Sequence, residues 1–88
     1  MTDLAELRTA IDEIDGQLLT LLAERFRVTA EVGRLKKAAA LPGRDAQREA
    51  EQIRRLHDEA RRLGLGEEWV TSLWRLILDE VVRRHAQA

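Results

Sequence analysis

From Leu4 onward, apolar side chains recur at Leu7, Ile11, Ile14, Leu18, Leu21, Val28, Val32 and Leu35. Steps of three and four alternate along this series, the spacing that keeps residues on one face of an α-helix. The register calls for one more apolar residue at position 25, where the chain has Arg25. Asp3 is placed to cap the helix at its start. Gly16 and Gly33 each cost only about 1 kcal/mol inside a helix. The first helix is therefore expected to continue until Leu41-Pro42-Gly43 breaks it.

Beyond the break, Asp45 is placed to cap a second helix with Ala46, Ala50, Ile53, Leu56, Ala60 and Leu63 on one face. Gly64 supplies a left-handed stop. The connection between Gly64 and Gly66 is so short that the third helix should fold back beside the second. That helix begins near Glu67 and Glu68, acids suited to the positive end of a helix dipole. Its apolar stripe is Val70, Leu73, Trp74, Ile77, Leu78 and Val81. With no repeat, low-complexity tract or linker, residues 1–88 read as a single all-α domain of one long and two shorter helices.

The first helix is too long for its chain. About 36 residues at 1.5 Å each extend about 54 Å, whereas a compact chain of this size has a radius of gyration near 12 Å and a diameter near 31 Å. Its apolar seam asks for a second copy of the same helix, and a two-fold dimer is the commonest closed solution. The expected architecture is an intertwined homodimeric helix bundle.

Composition narrows the alternatives. The 88 residues include no cysteine and two histidines, His57 and His85, so neither disulfides nor a zinc site of cysteine and histidine ligands can stabilise so small a chain. The 15 basic and 16 acidic residues are interleaved, without the basic excess of a nucleic-acid binder. No apolar run reaches membrane-spanning length, and the start of the chain lacks the regions of a signal peptide, which makes the cytoplasm the default address. Met1, His57, Trp69 and Trp74 carry no chemistry of their own in this reading, the tryptophans serving core or dimer packing.

The candidate chemistry lies in polar residues that interrupt the apolar stripes, because burying them unpaired costs several kcal/mol. Arg25 sits in the first seam, Glu49 four before Ile53, and His85 four after Val81. Lys36 lies eleven residues from Arg25, about 20° around the helix and about 16 Å along it. Each has a bland reading. Arg25 alone could fix the register of a coiled-coil seam, and a buried Arg25–Glu49 pair would be no evidence of function. His85 alone would be solvated near a fraying terminus, and Lys36 alone an ordinary surface lysine. Coincidence of position on three helices favours a shared interior rich in cations, which calls for a small anion held between facing helices. Two arginines suit two carboxylates, so a small dianion is the natural guest.

These residues resemble, from end to end, the all-helical chorismate mutases of the stand-alone bacterial type. The matching string is Leu7-Arg8, Ile11, Ile14-Asp15, Leu21-Leu22-Ala23-Glu24-Arg25, Val32-Gly33 and Lys36, then Arg44-Asp45, Arg48-Glu49, Trp69 and Trp74. The resemblance implies an isomerase of aromatic amino-acid biosynthesis that converts chorismate to prephenate without metal, cofactor or covalent intermediate. Arg25 would bind one carboxylate and Arg8 of the second copy another; at about 25 Å along the helix from Arg25, Arg8 cannot reach the same ligand within one chain. Lys36 would hydrogen-bond the ether oxygen and a carboxylate, Arg48 and Glu49 would contact the substrate, with Glu49 accepting from the ring hydroxyl, and the backbone near Asp45 would assist. Where such enzymes often have serine and, four residues later, glutamine, this chain has Val81 and His85. Histidine replaces the glutamine amide only if a ring N–H points at the ether oxygen. These departures keep open a relative of the same fold that acts on 4-amino-4-deoxychorismate or cleaves isochorismate. A rival of another class is a non-catalytic helical dimerisation module.

Overall fold

The computed structural model describes residues 3–42 and 45–87. Gly43 of the expected break, Arg44 of the matching string and Met1 lie outside them. The chain forms α1 (Leu4–Ala38), α2 (Ala46–Leu63) and α3 (Glu67–Gln87). The Asp3 carboxylate accepts the Glu6 N–H at 2.8 Å, capping α1 as its position suggests.

α1 stops three residues short of Leu41, earlier than the sequence led us to expect. The cause is a backbone lock at residues 39–41. Ala40 adopts the left-handed region at φ 55°, so that its N–H reaches the Lys37 carbonyl at 3.1 Å and the Leu41 N–H reaches the Lys36 carbonyl at 2.8 Å. This pair of bonds is the Schellman closure, usually built on glycine. Pro42, which cannot continue a helix, follows directly. At the far end of α2 the same closure uses the expected residue: Gly64 stands at φ 74° and the Leu65 N–H donates to the Ala60 carbonyl at 2.8 Å.

α3 is the central element. It packs along α2 and, by its other side, against the C-terminal half of α1. The α2–α3 corner is tied by His57, whose Nε2 meets the Thr71 hydroxyl while its Nδ1 lies 3.9 Å from Glu67. Arg61 reaches the same carboxylate at 3.2 Å. At the other end of α3, the Arg84 guanidinium sits 4.0 Å above the Phe26 ring of α1. Glu80 holds Arg84 from behind at 2.8 Å and Arg83 at 2.6 Å. These two hydrogen bonds, from Arg83 and then Arg84, push the Glu80 carboxyl down to about 2.

What the single chain lacks is a core. Among the described residues only Ala60, Val70 and Ile77 are buried, and no residue of α1 is. Along the first half of α1, exposure runs from 50% at Leu7 to 62% at Leu4, with Ile11, Ile14, Leu18 and Leu21 between. Trp69 is also exposed and Trp74 half-buried, so of the two tryptophans only Trp74 helps to pack this chain. The molecule is a rod of 58 × 26 × 15 Å with a radius of gyration of 16.4 Å, against about 12 Å for a compact chain of this length. Among the described residues no helix is long and apolar enough to cross a membrane.

The left-handed Ala40 generates a stability prediction. A Cβ in this region costs about 1 kcal/mol or more, so Ala40→Gly should stabilise the fold by about 1 kcal/mol, read as a rise of several degrees in the thermal unfolding midpoint. An unchanged or lower midpoint would count against the lock.

Candidate active site

Each helix brings charged or polar side chains to one pocket of about 340 Å³. The second half of α1 supplies Arg25 and Lys36, eleven residues apart and so nearly on one face. The first turns of α2 supply Arg48, Glu49 and Gln52, with the capping residue Asp45 at the mouth, and α3 supplies Val81 and His85. The remaining wall is mostly apolar, from Val28, Val32, Leu78 and Val82, with Thr29 beside them. Six of the seven residues singled out from the sequence thus converge: Arg25, Lys36, Asp45, Arg48, Glu49 and His85. Arg8 does not; it lies exposed in the uncovered half of α1.

Arg25 carries the electrostatic signature of the site. It is half-buried, and its Nη1 is shielded from solvent with no hydrogen-bond partner among the described residues. Burial pushes its guanidinium below the ordinary arginine value, and the positive charge of Arg48 acts in the same direction. A guanidinium neutralised by a carboxylate would be pushed up instead. This direction does not favour a self-satisfied Arg25–Glu49 pair, and it fits a cation held beside a second cation in a partly desolvated pocket.

Local structure explains how the other groups are aimed. The Asp45 carboxylate accepts the Arg48 N–H at 3.0 Å, which pins the first turn of α2 and so the directions of Arg48 and Glu49. Its side chain is thereby committed to capping. His85 reaches across from α3 to α1, its Nε2 2.8 Å from the Thr29 carbonyl oxygen. Its Nδ1 is buried without a partner among the described residues.

Two participants escaped the sequence reading. Gln52 follows Arg48 by four and Glu49 by three, a spacing that places all three on one side of α2 and could have flagged it. Thr29 takes part through its backbone carbonyl, for which a sequence holds no signal.

A larger cleft, about 830 Å³, lies on the other side of His85 between Phe26, Arg34, Lys37 and Arg84. Most of its charges are already engaged, although Lys36 borders it as well as the smaller pocket. Arg34 pairs with Glu31, Arg84 with Glu80 and Phe26, and Lys37 too has a partner. What distinguishes the smaller pocket is Arg25, whose buried Nη1 has no partner among the described residues and which does not line the larger cleft.

Comparison with known proteins identifies the family. The family chorismate mutase type II matches residues 7–86. The bifunctional chorismate mutase/prephenate dehydratase of Escherichia coli K12 is 37% identical over 79 residues, 90% of this chain and 20% of that protein. A chorismate mutase of Methanocaldococcus jannaschii is 41% identical over 59 residues, 64% of this chain and 60% of that one. A 3-dehydroquinate dehydratase of Pyrobaculum aerophilum is 49% identical over 55 residues, 62% of this chain and 18% of the relative. The chain spans about a fifth of the bifunctional protein it matches, 20% of its length. Because the family match runs from α1 to the end of α3 and takes in every residue of the pocket as well as Arg8, this chain belongs to the chorismate mutase type II family.

Proposed function

We propose that residues 1–88 form a chorismate mutase domain that acts as a homodimer and rearranges chorismate to prephenate. The observation that carries this reading is the convergence of Arg25, Lys36, Arg48, Glu49 and His85 on one small pocket, in which the Nη1 of Arg25 is buried with no hydrogen-bond partner among the described residues. Chorismate, a compact dicarboxylate, is the anion this family handles, and the pocket's volume of about 340 Å³ suits a small guest.

The reaction is a pericyclic Claisen rearrangement: the ether C–O bond breaks as a C–C bond forms, and no proton, nucleophile or redox partner is required. The protein's work is to hold the substrate's side chain over its ring and to stabilise negative charge growing on the ether oxygen. Arg25 and Arg8 of the second copy bind the two carboxylates and impose the compact arrangement, an orientational contribution with a high ceiling. Lys36 donates to the ether oxygen and a carboxylate. Glu49 accepts from the ring hydroxyl, and Arg48 adds positive charge at the α2 wall. Val81 offers no donor where related enzymes often have serine, so carboxylate binding leans more heavily on the arginines.

A second copy is needed both for the fold and for the site. The single chain exposes 7151 Å², whereas a compact protein of its mass exposes about 5,300 Å². The excess, about 1,900 Å², falls within the roughly 1,000–2,500 Å² that each partner buries in an obligate dimer. Much of it is the apolar row of α1 that also carries Arg8. Pairing α1 with its copy covers that row and delivers Arg8 to the partner's pocket.

The direct test is to incubate the purified chain with chorismate and follow its loss and the appearance of prephenate. Lys36→Ala should lower kcat by about 10²–10³-fold, the usual cost of removing a fixed donor to a developing oxyanion, while circular dichroism and sedimentation remain those of the native dimer. Near-native turnover in that variant would remove Lys36 from the chemistry. A site shared between copies also predicts complementation. Arg8→Ala and Arg25→Ala should each be nearly inactive alone, yet their refolded equal mixture should recover about a quarter of native activity, because half the dimers then hold one intact site. A mixture as inactive as its components would show that Arg8 does not cross the interface.

A further inference from the structure

His85 is the pocket group whose side-chain type changes charge between pH 5 and 8, and its surroundings decide which nitrogen does the work. A Cβ at Gly33 would stand 2.6 Å from the ring's Cδ2 and 2.7 Å from Nε2, a separation no side chain tolerates. Only glycine there lets the imidazole approach the α1 backbone, and that approach brings Nε2 to 2.8 Å from the Thr29 carbonyl oxygen. A carbonyl offers only lone pairs, so Nε2 carries the hydrogen. In the neutral ring Nδ1 is then a bare acceptor. It is buried and has no hydrogen-bond partner among the described residues, although buried polar atoms are nearly always paired.

The substrate proposed above presents His85 with acceptors as well, the ether oxygen and carboxylates, its ring hydroxyl being taken by Glu49. Two acceptors repel, so a neutral ring locked in this tautomer works against the reaction. We infer that Gly33 and Thr29 hold His85 in its Nε2–H form, so that only the imidazolium, donating through Nδ1–H, serves the substrate's oxygen. The inference rests on the chorismate reading. Gly33 is on this account a positioning residue, acting through His85.

The charged surroundings suit a proton that arrives with the ligand. On α1, Arg25 and Lys36 border His85 in the smaller pocket, and Glu31, Arg34 and Lys37 in the larger cleft. Asp45, Arg48 and Glu49 line the same pocket from α2, and Arg84 precedes it on α3. Cations outnumber carboxylates around the ring, and a bound dianion offsets that excess.

The test compares kcat at saturating chorismate between about pH 5 and 8 for the native protein and three variants. Native kcat should fall as pH rises, approaching a tenfold loss per unit on the alkaline limb. His85→Gln, whose amide donates at any pH, should remain active and be flat. His57→Gln, altered at the remote α2–α3 corner, should keep the native profile. Gly33→Ala should lose kcat, by roughly ten- to a hundredfold, as the ring is displaced. In parallel, the imidazole ¹⁵N shifts of His85 above its titration should show Nε2 protonated and Nδ1 bare in the native protein, and a mixture of tautomers in Gly33→Ala. A native profile that is flat or rises with pH overturns the inference, as does a native Nδ1–H tautomer. Absence of chorismate turnover at every pH would instead defeat the reading of the substrate, and the ¹⁵N signals would still decide the tautomer.

Discussion

A helix that outruns its own chain is the constraint from which the rest of this molecule follows. α1 holds 35 of the 88 residues, and of the other two helices α3 packs against it, along its second half. That half becomes one wall of a pocket, while the first half keeps an apolar row turned to solvent. Arg8 and Arg25 stand on the same rigid element about 25 Å apart. A ligand that binds both arginines would therefore meet them from different copies, and in the proposed dimer folding and ligand binding share one remedy.

Within the covered half, electrostatics rather than packing distinguishes the site. Burial and Arg48 both work against the charge on Arg25, an arrangement that the proposed dianionic substrate would relieve. The helices are anchored at a distance: the His57–Thr71 and Arg61–Glu67 contacts fasten α3 to α2 at one end, and Arg84 over Phe26 fastens it to α1 at the other. Asp45, by capping α2, converts a helix start into an aiming device for Arg48 and Glu49.

Much of this was legible in the residue order. The period of the apolar positions set out three helices, Asp3 and Asp45 marked two starts, and Gly64 marked a stop, because propensity, capping and burial pattern agree at those places. The candidate site was readable for a related reason: Arg25, Glu49 and His85 break the apolar stripes, and a break in a stripe reports a cost that must be compensated. What stayed hidden depends on the backbone. Ala40 adopts a conformation its side chain disfavours, so the end of α1 could not be placed by composition. The Thr29 carbonyl belongs to every residue type alike, and the room above Gly33 exists only once α3 has docked. That Arg8 would serve another copy's pocket is what the family resemblance implies, and the distance along the helix agrees with it.

The closure at Ala40 also limits how this protein can vary. Surface connections usually accept insertions and deletions with little loss. Here the connection from α1 to α2 is bounded on one side by Lys36, whose carbonyl receives the Leu41 N–H, and on the other by Asp45, and both border the pocket. A lengthened or shortened segment would shift the lysine against the α2 wall by ångströms, the scale on which hydrogen bonds are made or lost. In the described part of this connection, residues 39–42, sequence drift should therefore be confined to changes that keep the Leu41–Lys36 bond.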